Sequence, residues 1–171
     1  MSKQTPDPTP VPVAAIVLAA GLGTRMKSEL PKVLHPIAGR PMIQHLLASV
    51  NKLEPERVVV VASAGAQNVR AAVQPHPTAV QTEQRGTGHA VLQAKQHMAS
   101  FNGDVLILFG GDPLITPKTM KRLLDRRRGD DDPGGLAGGA GAPPGVGPPG
   151  AGAPGAARGR GDSAHVAAAG P

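Results

Sequence analysis

Val13-Ala-Ala-Ile-Val-Leu-Ala-Ala-Gly-Leu-Gly-Thr-Arg-Met26 decides the fold class of this 171-residue chain. Its first eight residues form a short, unbroken apolar run that stops at Gly21, the pattern of a strand buried on both faces. Such a strand belongs in a sheet with helices on both sides. The flanking sequence alternates accordingly. Pro41 to Lys52 opens with Pro at a first-turn position and sets Met42, His45, Leu46 and Ser49 to Leu53 at helical spacing. Arg57 to Ala62 is a second buried strand rich in β-branched residues. Ala66 to Val73 reads as a helix, Thr78 to Thr82 as a short strand, Gly88 to Ala99 as a helix and Asp104 to Phe109 as a fourth strand. Thr116 is placed to cap a last helix through Arg127, with Pro117 in its first turn. Strand and helix in alternation predict a mostly parallel sheet with right-handed crossovers, whose ligands bind beyond the carboxyl ends of the strands.

Composition separates this segment from the carboxyl-terminal quarter of the chain. From Gly129 onward, 43 residues contain 14 Gly, 11 Ala and 7 Pro, and their large apolar residues reduce to Leu136, Val146 and Val166. Burial of so little apolar surface does not offset the entropy of ordering the chain, so 129–171 is expected to be a disordered low-complexity tail, and 1–12 a disordered N-terminus. Charge divides at the same place: residues 1–128 carry 16 Lys+Arg against 8 Asp+Glu, the remainder 2 against 4. A basic segment with two Phe and no Tyr or Trp suits a phosphate-bearing small molecule better than stacked nucleic acid. The absence of cysteine excludes disulfides, thiolate metal sites and a cysteine nucleophile. Val13–Ala20 is too short to span a bilayer, and Met1–Pro12 lacks the form of a signal peptide. A cytoplasmic protein with no membrane partner is expected.

Three strand ends carry the candidate chemistry. Leu18-Ala-Ala-Gly-Leu-Gly-Thr-Arg25 brings small residues and backbone N–H groups to where an anion can approach, Arg25 adds a phosphate-shaped fork, and Lys32 adds a point charge behind Pro31. No Gly-Lys-Ser/Thr follows, and Met26 stands where a dinucleotide fingerprint has its third glycine. The plain alternative is a tight turn with solvated cations. Gln81 to Ala90 offers a glutamine amide able to pair with a base edge, with Gly86 and Gly88 giving close access to the backbone. Its plain alternative is a polar loop with turn glycines. His35, His45 and His89 stand at no ligand spacing and are expected to pack or cap. Phe109-Gly-Gly-Asp112 follows the fourth strand.

Leu18 to Met26 followed by Leu30-Pro-Lys-Val-Leu-His35 resembles the signature of sugar-1-phosphate nucleotidyltransferases. With Gln81-Thr-Glu-Gln-Arg-Gly-Thr-Gly-His-Ala90, the stretch from about Val13 to Arg127 is similar to the amino-terminal part of the bacterial bifunctional N-acetylglucosamine-1-phosphate uridyltransferase/glucosamine-1-phosphate acetyltransferase family. The resemblance implies an α/β fold with a Rossmann-like, mostly parallel sheet of the nucleotide-diphospho-sugar transferase type. It implies UTP and N-acetylglucosamine 1-phosphate as substrates, UDP-N-acetylglucosamine (a peptidoglycan precursor for the cell envelope) and pyrophosphate as products, and Mg²⁺ as cofactor. Leu18, Ala19, Ala20 and Gly21 would line the uridine and phosphate site. Arg25 and Lys32 would be the catalytic cations, on the β- and γ-phosphates and on the phosphate undergoing substitution. Gln81, Gly86 and Thr87 would read uracil, while Gly23, Phe109 and Gly110 would border the nucleotide.

Two departures accompany the resemblance. The family's order after the fourth strand is aromatic-Gly-Asp-x-Pro-Leu, whereas here Gly111 takes the aspartate's place and Asp112, the candidate metal ligand, comes one residue later. The likeness also stops near Arg128, where the family continues with its sugar-binding half and an acetyltransferase domain. The tail is rich in residues with GC-rich codons, which suggests a reading-frame slip. An incomplete domain with impaired turnover is therefore expected. Another sugar or base, or a non-catalytic nucleotide-binding fragment, are the alternatives.

Overall fold

The structure, a computed structural model, describes residues 11–21, 23, 27–129 and 164–169. Its centre is strand β1 (Val13–Leu18). A 3₁₀ turn (Lys32–Leu34) and a two-strand ribbon, β2 (Pro36–Ile37) and β3 (Arg40–Pro41), lead into helix α1 (Met42–Asn51). Then come β4 (Arg57–Ser63), α2 (Gln67–Ala72), β5 (Thr78–Gln81), α3 (Thr87–Gln93), a second 3₁₀ turn (Lys95–Met98), β6 (Gly103–Phe109) and α4 (Pro117–Arg128). The last described element is β7 (Ala164–Ala169). The main sheet runs β5-β4-β1-β6-β7. Its first four strands are parallel, as the alternation predicts, and β7 joins β6 antiparallel.

The apolar run of β1 is buried on both faces because alternate side chains enter two cores. Ala15, Val17 and Ala19 pack with α1, α2 and α4 through Ile43, Leu46, Val69 and Met120. Ala14, Ile16, Leu18 and Ala20 pack on the other face with Ala90 and Ala94 beside α3 and with Phe101. The chain therefore builds outward from β1 to β4 and β5, then returns across the sheet to lay β6 on β1's other side. This reversal opens a crevice beyond the carboxyl end of β1.

Four local expectations are corrected. On α1 the buried stripe is Ile43, Leu46, Leu47 and Val50 rather than one beginning at Met42. Pro41 ends β3 and caps the helix instead of entering it, which shifts the phase by one residue. The helix expected over Gly88–Ala99 ends at Gln93, and the 3₁₀ turn after it closes through a bond from His97 N–H to the Ala94 carbonyl (3.0 Å). That tighter turn brings Phe101 into the core. Val11 and Pro12 are tied to the domain: the Asp104 N–H donates to the Pro12 carbonyl (3.0 Å), and Arg128 Nη2 donates to the Val11 carbonyl (3.1 Å). Finally, Ala164–Ala169, which carries no apolar alternation, pairs in register with β6 from Leu108 to Gly103. A backbone ladder needs no large side chains, and the open edge of β6 supplies unpaired donors and acceptors. The remainder of the expected tail, and residues 1–10, lie outside the described residues.

The end of α4 behaves as its sequence predicts. Thr116 caps its start, accepting from the Thr119 N–H at 3.2 Å, and Gly129 closes it with φ +80°. From its last turn Arg127 Nε and Arg128 Nε reach Asp104 at 2.9 and 2.7 Å. The Asp104 side chain is only 6% exposed, so the first residues of β6 are clamped to the helix through a nearly dry carboxylate.

Candidate functional site

Register places Leu18 of β1 level with Phe109 of β6, where both strands end, and with Val61 of β4, which runs on to Ser63. Beyond them the main chain stays pinned: the Ala19 N–H donates to the Val61 carbonyl (2.7 Å) and the Gly110 N–H to the Leu18 carbonyl (2.8 Å). Small side chains at Ala19 and Ala20 are buried, leaving the backbone to form one wall of a cleft of about 320 Å³. Leu18, Ala19, Ala20, Gly21 and Gly23 contribute that wall, and Lys32 stands at the edge with Val33. Opposite stand Gln81 at the end of β5, Gln84 and Gly86 of the loop that follows, and Thr87 and Ala90 of α3, with Phe109 of β6.

Ten residues singled out from sequence therefore meet in one cleft: Leu18, Ala19, Ala20, Gly21, Gly23, Lys32, Gln81, Gly86, Thr87 and Phe109. Gly110 does not line it. It is wedged behind, where a Cβ would meet the Leu18 carbonyl and Val33 Cγ1 at 3.2 Å and Ile43 Cδ1 at 3.3 Å. Asp112 also falls outside the lining, in a turn closed by its own N–H donating to the Phe109 carbonyl (3.0 Å). Arg25 lies outside the described residues.

Gln81 is 3% exposed, and a buried amide must spend its donors and acceptors within the protein or on a ligand. Its Nε2 lies 3.4 Å from the Gly86 carbonyl and 3.3 Å from His89 Nδ1. His89 Nδ1 is also 3.1 Å from the Glu83 carbonyl, so its tautomer chooses between donating to Glu83 and accepting from Gln81. Gly86 has φ +95°, a conformation that keeps the loop open to the cleft and that an L side chain adopts only under strain. Sequence reasoning missed Gln84, whose Nε2 donates to the Ala20 carbonyl at 2.7 Å and so joins the two walls. Its only signal was an amide in the same polar loop.

The three histidines take structural partners: His35 Nε2 donates to the Leu30 carbonyl (3.1 Å) and His45 Nε2 to the Ile37 carbonyl (2.8 Å), while His89 serves the β5–α3 loop. Among the described residues no three His, Cys, Asp or Glu gather around a point that could hold an ion. These donors do not fit a metal caged by protein alone. The described cleft lining contains no carboxylate, so a divalent ion there would be carried chiefly by a ligand's phosphate oxygens, as Mg²⁺ often is. A larger hollow, about 510 Å³, opens at the other end of the strands between Glu54, Arg57, His76 and His97. Its Arg57 is engaged by the carbonyls of His97 (3.1 Å) and Ala99 (2.8 Å) and lies 5.7 Å from the Phe101 ring centre. No helix of the described residues is long and apolar enough to cross a membrane.

Comparison with known proteins agrees with this geometry. The sequence model of the MobA-like NTP transferase domain matches residues 15–148. The chain is 57% identical over 121 residues to the bifunctional protein GlmU of Paramagnetospirillum magneticum, covering 71% of this chain and 27% of that protein. It is 53% identical over 120 residues to GlmU of Rhodospirillum rubrum, covering 70% and 27%. The chain thus spans about a quarter of the length of these curated relatives. Among solved structures it is similar to Rv0371c of Mycobacterium tuberculosis H37Rv, with a TM-score of 0.60 and 22% identity over 71% of this chain and 63% of that one. That likeness shows the fold.

Proposed function

We propose that this chain, which belongs to the MobA-like NTP transferase domain family, carries the nucleotide half of a uridylyltransferase that joins UTP and N-acetylglucosamine 1-phosphate into UDP-N-acetylglucosamine and pyrophosphate. The observation that carries this reading is the convergence of Leu18–Gly21, Lys32, Gln81, Gly86 and Thr87 on one cleft at the strand ends. GlmU of two bacteria shares more than half of the aligned residues, which favours this sugar nucleotide over other products.

In the reaction, a phosphate oxygen of the sugar phosphate attacks the α-phosphorus of UTP, and the α–β anhydride bond breaks as pyrophosphate departs with the electron pair. No protein nucleophile is needed. The task is to hold crowded negative charges in line and to neutralise them. The main chain of Leu18–Gly21 would line the nucleotide, with the Ala19 N–H already given to the Val61 carbonyl. Lys32 would sit on the phosphate under attack and Arg25 on the leaving phosphates. The Gln81 amide, with Gly86 and Thr87, would read the uracil edge. Mg²⁺ would arrive bound to the triphosphate with Asp112 as its protein carboxylate, and would supply charge neutralisation. With Gly111 where a carboxylate is expected, turnover is impaired. The substrates are small and water-soluble, and the reaction belongs in the cytoplasm.

Calorimetry with UTP and Mg²⁺, beside a pyrophosphate-release assay with the sugar phosphate, tests the reading. Saturable UTP binding with slow or no release is expected. A chain that neither binds UTP nor releases pyrophosphate refutes it.

A further inference from the structure

We infer that Gln84 is a positioning residue for a nucleotide that spans the cleft: its bond to Ala20 holds the base-reading wall at a fixed distance from the phosphate-facing wall. Gln84 Nε2 donates to the Ala20 carbonyl at 2.7 Å, across 64 residues of chain. A carbonyl oxygen only accepts, so the contact fixes which end of the amide meets Ala20. On the phosphate-facing side the main chain is anchored up to Ala20. The Ala19 N–H is given to the Val61 carbonyl (2.7 Å), the Leu18 carbonyl accepts from the Gly110 N–H (2.8 Å), and Ala19 and Ala20 are buried. Gly21 follows exposed, and a Cβ there would meet nothing within 4 Å. On the base-reading side the chain leaves β5 at buried Gln81 and crosses Thr82 to Gly86, all exposed, before α3 begins. Among the described residues, Gln84 to Ala20 is the one hydrogen bond between these two stretches.

The two walls do different work. A nucleoside needs only the wall that carries Gln81, Gly86 and Thr87. A phosphate chain needs only Leu18–Gly21 with Lys32. A nucleoside triphosphate needs both, at one separation. A segment that must be ordered on binding takes that cost out of the affinity, and a bond made beforehand removes it. Gln84 makes that bond before any ligand arrives, so it acts on the whole nucleotide and on neither half alone. The side chain is exposed, and replacing it leaves both cores of the sheet untouched.

This inference rests on the cleft being a uridine triphosphate site, and its test separates the two. The full chain and its Gln84→Met variant are titrated with uridine, with inorganic tripolyphosphate and with UTP, by NMR, which reads weak binding. Methionine keeps the length of the stem and removes the donor. Gln84→Met is expected to weaken UTP about fivefold, the size of one internal hydrogen bond, and to change uridine and tripolyphosphate by less than about twofold each. Unaltered UTP affinity overturns the inference. An equal loss on uridine also overturns it, because Gln84 would then touch the nucleoside itself, and an equal loss on tripolyphosphate does so for the phosphates. Should wild type fail to bind UTP, the nucleotide reading falls. The bridge is then judged alone by the Gly21 amide ¹⁵N signal, which responds to the bond accepted by the carbonyl before it. That signal must shift in Gln84→Met, and an unmoved one overturns the placement.

Discussion

Two glutamines three residues apart have opposite duties, Gln81 at the end of β5 turned into the protein at 3% exposure and Gln84 reaching across to the Ala20 carbonyl. At this scale a side chain's surroundings decide its chemistry, and His76 gives a measurable case. Burial holds its imidazole below the ordinary value of 6.5, and Asn51 Nδ2 donates to its Nε2 at 3.4 Å, a contact that only a neutral ring accepts. On acidification the unfolded chain takes up this proton first, so stability declines as pH falls below about 6.5. Urea unfolding at about pH 7.5 and about pH 5.5 should show a shallower decline in His76→Asn than in wild type. Equal slopes would refute the assignment. The backbone-lined half of the cleft was legible in sequence because Arg25 and Lys32 accompany the small residues after the apolar run and the stretch resembles a known signature, whereas the small residues alone suit an ordinary turn. Gln84 was not legible, since one amide in a polar loop has no periodicity to mark it. Asp112 carries the right chemistry one residue away from the expected place.

Elements are held at their ends. Asp104 joins the start of β6 to the last turn of α4 through two guanidinium groups at 2.7 and 2.9 Å. Asp104→Ala leaves Arg127 and Arg128 without their buried partner. Because both retain some solvent, the cost falls below that of a wholly buried pair, about 2 kcal/mol. Denaturant unfolding of Asp104→Ala checks this, and a loss below about 0.5 kcal/mol would contradict it. Strand positions were read well because a doubly buried strand is a continuous apolar run. Helix α1 was read one residue out of phase because Pro41 serves a β ribbon before it serves the helix. The break at Gln93 was hidden, since Ala94 to Met98 suits a helix equally well and only the demand to bury Phe101 decides otherwise.

For the whole molecule, the sheet is closed on β6's side by a strand whose sequence offers almost nothing to pack. Ending the chain at residue 129 removes β7 and leaves β6 with an open edge, a template for a second copy. Light scattering of that shortened protein should show concentration-dependent association absent from the full chain, and monodispersity of both would speak against a capping role. The strand escaped sequence reading because pairing through the main chain writes no pattern into side chains. The Asp104 clamp has a consequence of another kind. It lies at the opposite end of β6 from the cleft, and its carboxylate is shielded, whereas Lys32 is exposed. Dissolved ions screen exposed charges strongly and shielded ones little. An electrolyte therefore acts on the two ends of one strand unequally: it would loosen a bound phosphate at the tip while the root stays locked, so the molecule can be emptied without being undone.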